Sequence, residues 1–364
     1  MKKLFIMALI TFCFVNITTA QNKDDRYREY TGRYGSNDGV CLFDDGHFML
    51  YGYAVAVFGS YKFEDNYINF HPDQPELFEV YATYNKTLGN KTRMDYVGFD
   101  RGDKTYVQYD GDKASRVFND NANCFSGPFV NELPKQIKKI RLSNSASGSD
   151  KINNSWYYNN DKGYNDFVLV YNRSTMEYEN FSGLIKKKNN EFVLKTSNFG
   201  SDKGYIKKAT NADRQKEWQE ILAAKEQYYK RKENKAKSVY ANKHYQAFEP
   251  DLTKYTFDKA SGQYIIKNAT DNEEYFRQNQ YNDNRYLRLY TPLQPYLKNN
   301  SSVGENEANP SSVFFTSCTD SSKESYRYKG YMKYKEEKEE KPLPGTMAPV
   351  PIKAIKNNTD SRNL

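Results

Sequence analysis

The sequence predicts a mainly β protein: an N-terminal antiparallel meander barrel, then a further β-rich region with one amphipathic helix. Three observations predict it. Aromatic residues are abundant and skewed to tyrosine, with 33 Tyr and 22 Phe against 2 Trp in 364 residues. Tyrosine suits a half-exposed pleated face, where its ring packs and its hydroxyl reaches water. Short alternating segments recur between Gly, Asn and Asp turns, and one stretch alone, Asn211 to Tyr240, carries a strong helical period.

The first twenty residues read apart from the rest. Lys2 and Lys3 precede an apolar run from Leu4 to Val15, and small or polar residues lead to Ala20 and Gln21. This is the pattern of a cleavable secretory signal, too short for a membrane span. No later apolar run is long enough to span a bilayer, so a protein soluble outside the cytoplasm, secreted or periplasmic, is expected. Without the two leader lysines the net charge falls from +8 to +6. The excess is spread out, and "KYKEEKEEK" (Lys333 to Lys341) reads as a solvated face or tail. The densest basic stretch, "KQIKKIR" (Lys135 to Arg141), is too short for a nucleic-acid stripe, so no nucleic-acid partner is expected.

The expected barrel domain spans residues 21–142, with 21–29 polar and frayed. Val40 to Phe43 reads as a strand, Asp45-Gly46 as a type I′ hairpin turn, and Phe48 to Tyr53 as the return. In that return Phe48, Leu50 and Gly52 share one face. Gly59 to Phe63 and Tyr67 to Phe70 form the next hairpin about Glu64-Asp65-Asn66. "FEVYATY" (Phe78 to Tyr84), "RMDYVGF" (Arg93 to Phe99) and "TYVQYDG" (Thr105 to Gly111) continue the meander, and "KQIKKIRL" closes or leaves it. A meander hides its edges most simply by closing on itself. The proline-bearing "FHPDQPELF" (Phe70 to Phe78) reads as a rigid connector.

The succession "GRY" (Gly32 to Tyr34), "FDDGHF" (Phe43 to Phe48), "GSYKF" (Gly59 to Phe63) and "YINF" (Tyr67 to Phe70) resembles the opening of small bacterial lipocalin-like domains. Those run G-x-[WY], strand, D-G-x-[FY], strand, G-x-[WY], strand. Tyr34 stands where the first motif often has Trp. The resemblance covers under a third of the chain. It implies a meander barrel and brings no particular ligand with it.

Residues 143–154 ("SNSASGSDKINN") read as a polar linker. Residues 155–240 are expected to hold a small sheet, from Asp166 to Asn172 and a hairpin turning at Asn189-Asn190, followed by the helix. Thr210 and Asp213 suggest a near capping box. Trp218, Ile221, Leu222, Lys225 and Tyr229 recur on one helical face, expected to be buried against a sheet and to fray after Arg231. Residues 241–335 form a second β-rich region, with strands at Lys254 to Asp258, Gly262 to Asn268, Arg285 to Thr291, Ser312 to Cys318 and Tyr326 to Tyr334. "FDKASGQYII" echoes "FDDGHFML", leaving a diverged second barrel open. Residues 336–364, charged and then proline-rich, read as a disordered tail.

Chemistry is sparse in the motifs. Past the leader the cysteines are Cys41, Cys124 and Cys318. An oxidising compartment favours one pair. Cys41 and Cys124 are assigned to it because they fall in one expected domain, whose first and last strands would be neighbours. As a nucleophile, Cys124 in "NANCFSGPF" would need a nearby base. His47, His71 and His244 are the only histidines. A metal reading would join His47 with Asp44, Asp45, His71 and Asp73, but no HExxH or close His pair supports it, and no metal or cofactor is expected. No GxSxG occurs. A glycosidase needs two facing carboxylates, and 46 Asp and Glu leave that open. The expected function is therefore non-enzymatic: binding a small apolar or carbohydrate ligand, or an envelope interaction module. The alternative is a secreted carbohydrate-active hydrolase. The two part on a visible feature: a Tyr- and Phe-lined pocket with few acids, or two carboxylates across a cleft. Catalytic and ligand-binding residues are not identifiable from sequence.

Overall fold

The computed structural model describes residues 24–100, 103–145, 153–200, 202–209, 211–301, 309–319 and 325–333. The expected leader and tail lie outside the described residues, as do Thr210 and residues 146–152 of the expected linker. The chain forms two compact units, each discontinuous in sequence. The first takes the residues up to Gln74 and Thr175–Lys225; the second takes Pro75–Ser174 and the described residues from Glu226 onward.

The first unit is an eight-stranded antiparallel sheet. Its strands run in the order Gly32–Gly35, Gly39–Leu42, His47–Gly52, Val55–Glu64, Tyr67–Pro72, Phe181–Lys188, Glu191–Thr196 and Tyr205–Ile206. A bridge between Tyr34 and Lys207 brings the last strand to the first, and Lys208 N–H donates to the Arg33 carbonyl at 2.8 Å. The sheet is thus a nearly closed barrel. Alternation sends Tyr34, Val40, Leu42, Phe48, Leu50, Tyr61, Ile68 and Phe70 inward, where Phe181, Leu194 and Tyr205 meet them. Phe70 and Phe181 stack with centroids 4.4 Å apart. The interior is filled: Tyr61 spends its hydroxyl on the Phe43 carbonyl, and Tyr34 spends its own on that of Tyr30, both at 2.8 Å. Gly59 is required by this packing, since a Cβ there would lie 2.6 Å from the Phe48 ring.

Several expectations change here. The strands Phe78–Thr83, Thr92–Val97 and Thr105–Tyr109 do not complete the barrel; they belong to the second unit. The barrel instead takes the hairpin about Asn189-Asn190, whose positive φ values of 48° and 68° suit a two-residue turn. Alternation tells which face of a strand is apolar, but not which edge it pairs with. At Asp45-Gly46 only Gly46 has positive φ, at +87°, and Gly46 N–H donates to the Phe43 carbonyl. The turn is therefore a longer loop ending in a left-handed glycine rather than type I′. Residues expected to fray form a short helix, Arg26–Tyr30, because Tyr27 packs 5.2 Å from Tyr61 and 4.9 Å from Phe63.

The long helix, Ala212–Lys237, is capped by Asn211, whose side-chain oxygen accepts from Arg214 N–H at 3.0 Å. It does not end at Arg231. Trp218, Ile221 and Leu222 are half-buried rather than buried. Trp218 lies on Phe43 at 5.5 Å, and charged contacts flank it: Glu217 pairs with Arg33, and Lys225 Nζ donates to Asp45 at 2.7 Å. The narrow apolar stripe explains the partial burial, since it covers the rim of a barrel whose interior is already full.

The second unit stacks two sheets. One orders Val130–Leu133, Thr92–Val97, Asp166–Tyr171, Phe78–Thr83, Tyr286–Leu293, Val239–Ala241 and Ala247–Phe248, with the hairpin of Tyr255–Asp258 and Gln263–Ile266 pairing to Tyr286–Leu293. The other orders Leu297–Ser301, Asn153–Asn159, Lys139–Ser145, Thr105–Tyr109 and Ser115–Arg116. Phe78, Val80, Met94, Tyr96, Phe167 and Leu169 of the first share one core with Val107, Ile140, Leu142 and Tyr158 of the second. The expected linker is contradicted at its ends, where Ser143 to Ser145 pair with Asn153 to Ser155 as neighbouring strands. The "FDKASGQYII" hairpin joins the larger sheet and builds no second barrel. Ser312 to Cys318 makes only a bridge from Phe314 to Phe118, and Tyr326–Lys333 is not a strand. Phe314 packs instead into an aromatic cluster with Phe118, Phe129 and Tyr326.

Candidate functional site

The site grows from one strand, Thr92–Val97. Met94 and Tyr96 enter the core of the second unit, so alternation sends Arg93 and Asp95 to the other face of the sheet. The neighbouring strand runs parallel with Asp166 opposite Arg93. Asp166 is fully buried. Its carboxylate accepts from Arg93 Nη2 at 3.1 Å, Tyr245 Oη at 2.7 Å and Asn85 Nδ2 at 2.6 Å. Buried Tyr290 packs beside Tyr245. The turn holding Tyr245 is fixed by Asn242, whose side-chain oxygen accepts from His244 N–H at 2.9 Å and Gln246 N–H at 3.1 Å.

This turn brings His244 under the segment Ser325–Lys333. His244 Nδ1 lies 3.0 Å from the Tyr328 hydroxyl, and its ring lies 4.6 Å from that of Tyr331. Tyr328 and Tyr331 stand nearly perpendicular, 5.0 Å apart. Gln280 pins the segment through reciprocal 2.7 Å bonds with the Met332 backbone. Among the described residues, His244 Nε2 and Asp95 Oδ1 are buried without a partner. Burial pushes Asp95 up to about 8, with the Asp166 charge adding to it and Arg93 opposing it. Burial, with the Lys243 charge, lowers His244 to about 4.

Above the segment lies a half-open cleft of about 580 Å³, lined by Cys124, Phe125, Ser126, Gly127, Ser317, Cys318 and Ser325 to Tyr328 with Tyr331. Tyr326 Oη donates to the Pro128 carbonyl at 2.9 Å and accepts from Val130 N–H at 2.8 Å. The hydroxyls of Tyr326 and Tyr328 are thus engaged within the protein. Cys124 and Cys318 are disulfide-bonded, with Cα atoms 5.3 Å apart.

That bond corrects the expected Cys41–Cys124 pair. Cys41 sits buried and unpaired on a barrel strand of the first unit, and burial raises its thiol to about 12. The expected pairing assumed that both cysteines shared one closed meander. The disulfide also removes Cys124 as a nucleophile. His47 lies 3.1 Å from the Asp45 carboxylate and two strands from His71, with Ser60 between them in register. Among the described residues no group of three His, Cys, Asp or Glu side chains is placed to hold a metal. Of the site residues, only Cys124 had been singled out as a candidate by sequence. A signal existed in "RMDY": two charges on one face of a strand whose other face is apolar.

The two buried groups set a pH dependence. Unfolded Asp titrates near 3.9 and folded Asp95 at about 8. The folded state therefore holds more protons between those values, and this contribution is present below about pH 4 and lost as pH rises through 8. His244, depressed to about 4, acts oppositely: its contribution is present above about pH 6.5 and lost as pH falls toward 4. Asp95→Asn is expected to flatten the decline in urea-unfolding stability between pH 6.5 and 8.5, the His244 contribution being common to parent and variant. Equal slopes in parent and variant would refute the assignment.

No protein-family model, characterised protein or solved structure matches the chain.

Proposed function

We propose that this chain is a non-enzymatic binding module acting outside the cytoplasm, secreted or periplasmic, and that the tyrosine-lined cleft of the second unit seats a glycan ring. The observation that carries the reading is the lining itself. Phe125, Tyr326, Tyr328 and Tyr331 contribute rings, no Asp or Glu is among the described lining residues, and two tyrosine hydroxyls are engaged in the protein. Rings presented this way suit the C–H faces of a sugar. The Cys124–Cys318 disulfide supports an oxidising compartment. The barrel is read as lipocalin-like from its motifs and meander, but with its interior filled by aromatics it serves here as scaffold.

Calorimetric titration with a panel of oligosaccharides tests this. A member of the panel should bind and stay uncleaved by chromatography after prolonged incubation. Tyr331→Ala should weaken binding about tenfold or more, in line with loss of a stacking ring, while leaving the melting temperature close to the parent's. Cleavage would favour the hydrolase reading, and indifference to Tyr331→Ala would remove the cleft as the seat.

A further inference from the structure

Resting on the reading of the cleft as a glycan seat, the charge in its wall narrows the ligand class. Among the described residues that line the cleft, Arg327 alone is charged. The other arginines described in the second unit all have acceptors. Arg93 meets Asp166, Arg116 Asp120, Arg173 Asp103, Arg231 Glu249, Arg277 Glu274, and Arg285 both Asp283 and Glu273. Arg141 reaches Gln108 and Ser155, and Arg288 the Ser261 carbonyl. Arg327 is exposed, and among the described residues it has no hydrogen-bond or ion-pair partner. The Ser126 hydroxyl on the same lining is likewise unengaged.

We propose that the cleft selects an acidic sugar, a uronate, whose ring lies on Tyr331 and Tyr328 while its carboxylate is held by Arg327. A guanidinium presents two parallel N–H donors that match a carboxylate, and a planar fork tolerates aromatic neighbours. A cation with no internal partner leaves its donors to water until such an anion arrives. Among the described lining residues no carboxylate competes for Arg327. Ser126 is placed to bond a ring hydroxyl. A cationic ligand fits less well, because Arg327 would repel it.

The test uses a matched pair on the full chain: trigalacturonate and its methyl triester, which keeps the rings and removes the charge. The acid should bind the parent roughly tenfold tighter than the ester, and the difference should shrink as salt is raised. Arg327→Gln should bring the acid to the affinity of the ester without moving the melting temperature, and Tyr331→Ala should weaken both. Equal binding of acid and ester to the parent, or a preference that survives Arg327→Gln, would overturn the acidic-sugar inference while leaving the glycan reading in place. Failure of both probes to bind, with a neutral oligosaccharide bound instead, would have the same effect. If no saccharide binds at all, the cleft is not a glycan seat and both proposals fall together.

Discussion

Replacing Cys124 and Cys318 together with serine is expected to lower the stability of the second unit by about 3–5 kcal/mol. The bond spans 194 residues, so it removes a large loop from the unfolded ensemble. The chain-entropy relation gives roughly 5 kcal/mol for such a loop, an upper figure because residual structure in the unfolded chain reduces it. The bond also joins the two segments that wall the cleft. Trp156 lies in the second unit and packs 5.7 Å from Phe78, so its emission in a Trp218→Phe background reports that unit during urea unfolding. Thiol counting on unfolded residues 21–364 should find one free thiol, Cys41. A loss under about 1 kcal/mol, or three free thiols without reductant, would refute the bond.

The second large effect is expected at Asp166. Asp166→Ala should cost about 3–5 kcal/mol, the range for breaking a buried ion pair from one side. Three donors lose their acceptor at once: Arg93 Nη2, Tyr245 Oη and Asn85 Nδ2. Each buried donor left unpaired carries its own desolvation cost. Asp166→Asn should cost less, because an amide still offers one acceptor oxygen while losing the charge that Arg93 faces. The same Trp156 transition measures both. An alanine variant within 1 kcal/mol of the parent would mean that water replaces the carboxylate and that the cluster is not structural. Because Tyr245 follows His244 in the same turn, Asp166→Ala should also weaken ligand binding more than Asp166→Asn does.

Much of the barrel was legible locally. The alternation of Phe48 and Leu50, the glycine before Phe63 and the Asn189-Asn190 turn each express a constraint on a few adjacent residues, and each holds in the structure. The helix was legible for the same reason, although the depth of Trp218 was not, because burial depends on what lies opposite. The candidate site was nearly invisible. Tyr326, Tyr328 and Tyr331 fall in a stretch that reads as a strand, since tyrosine at alternate positions, as at Tyr326 and Tyr328, is what a sheet edge uses. Arg93, Asp95 and Asp166 sat inside two segments read only as strands.

By itself the sequence determined the mainly β class, the existence and faces of most strands, the helix and the lack of a recognisable catalytic motif. These follow from side-chain period and turn chemistry, which act over a few residues. Only the tertiary structure decided that Phe181–Lys188 and its partners complete the barrel, that Phe78 to Tyr109 leaves it, and that Cys124 meets Cys318 rather than Cys41. The physical reason is that strand pairing is made by backbone groups that every residue carries, so the choice of partner rests on distant side-chain packing such as Phe70 on Phe181. The cleft follows the same rule: its walls come from segments almost 200 residues apart, held together by one covalent bond.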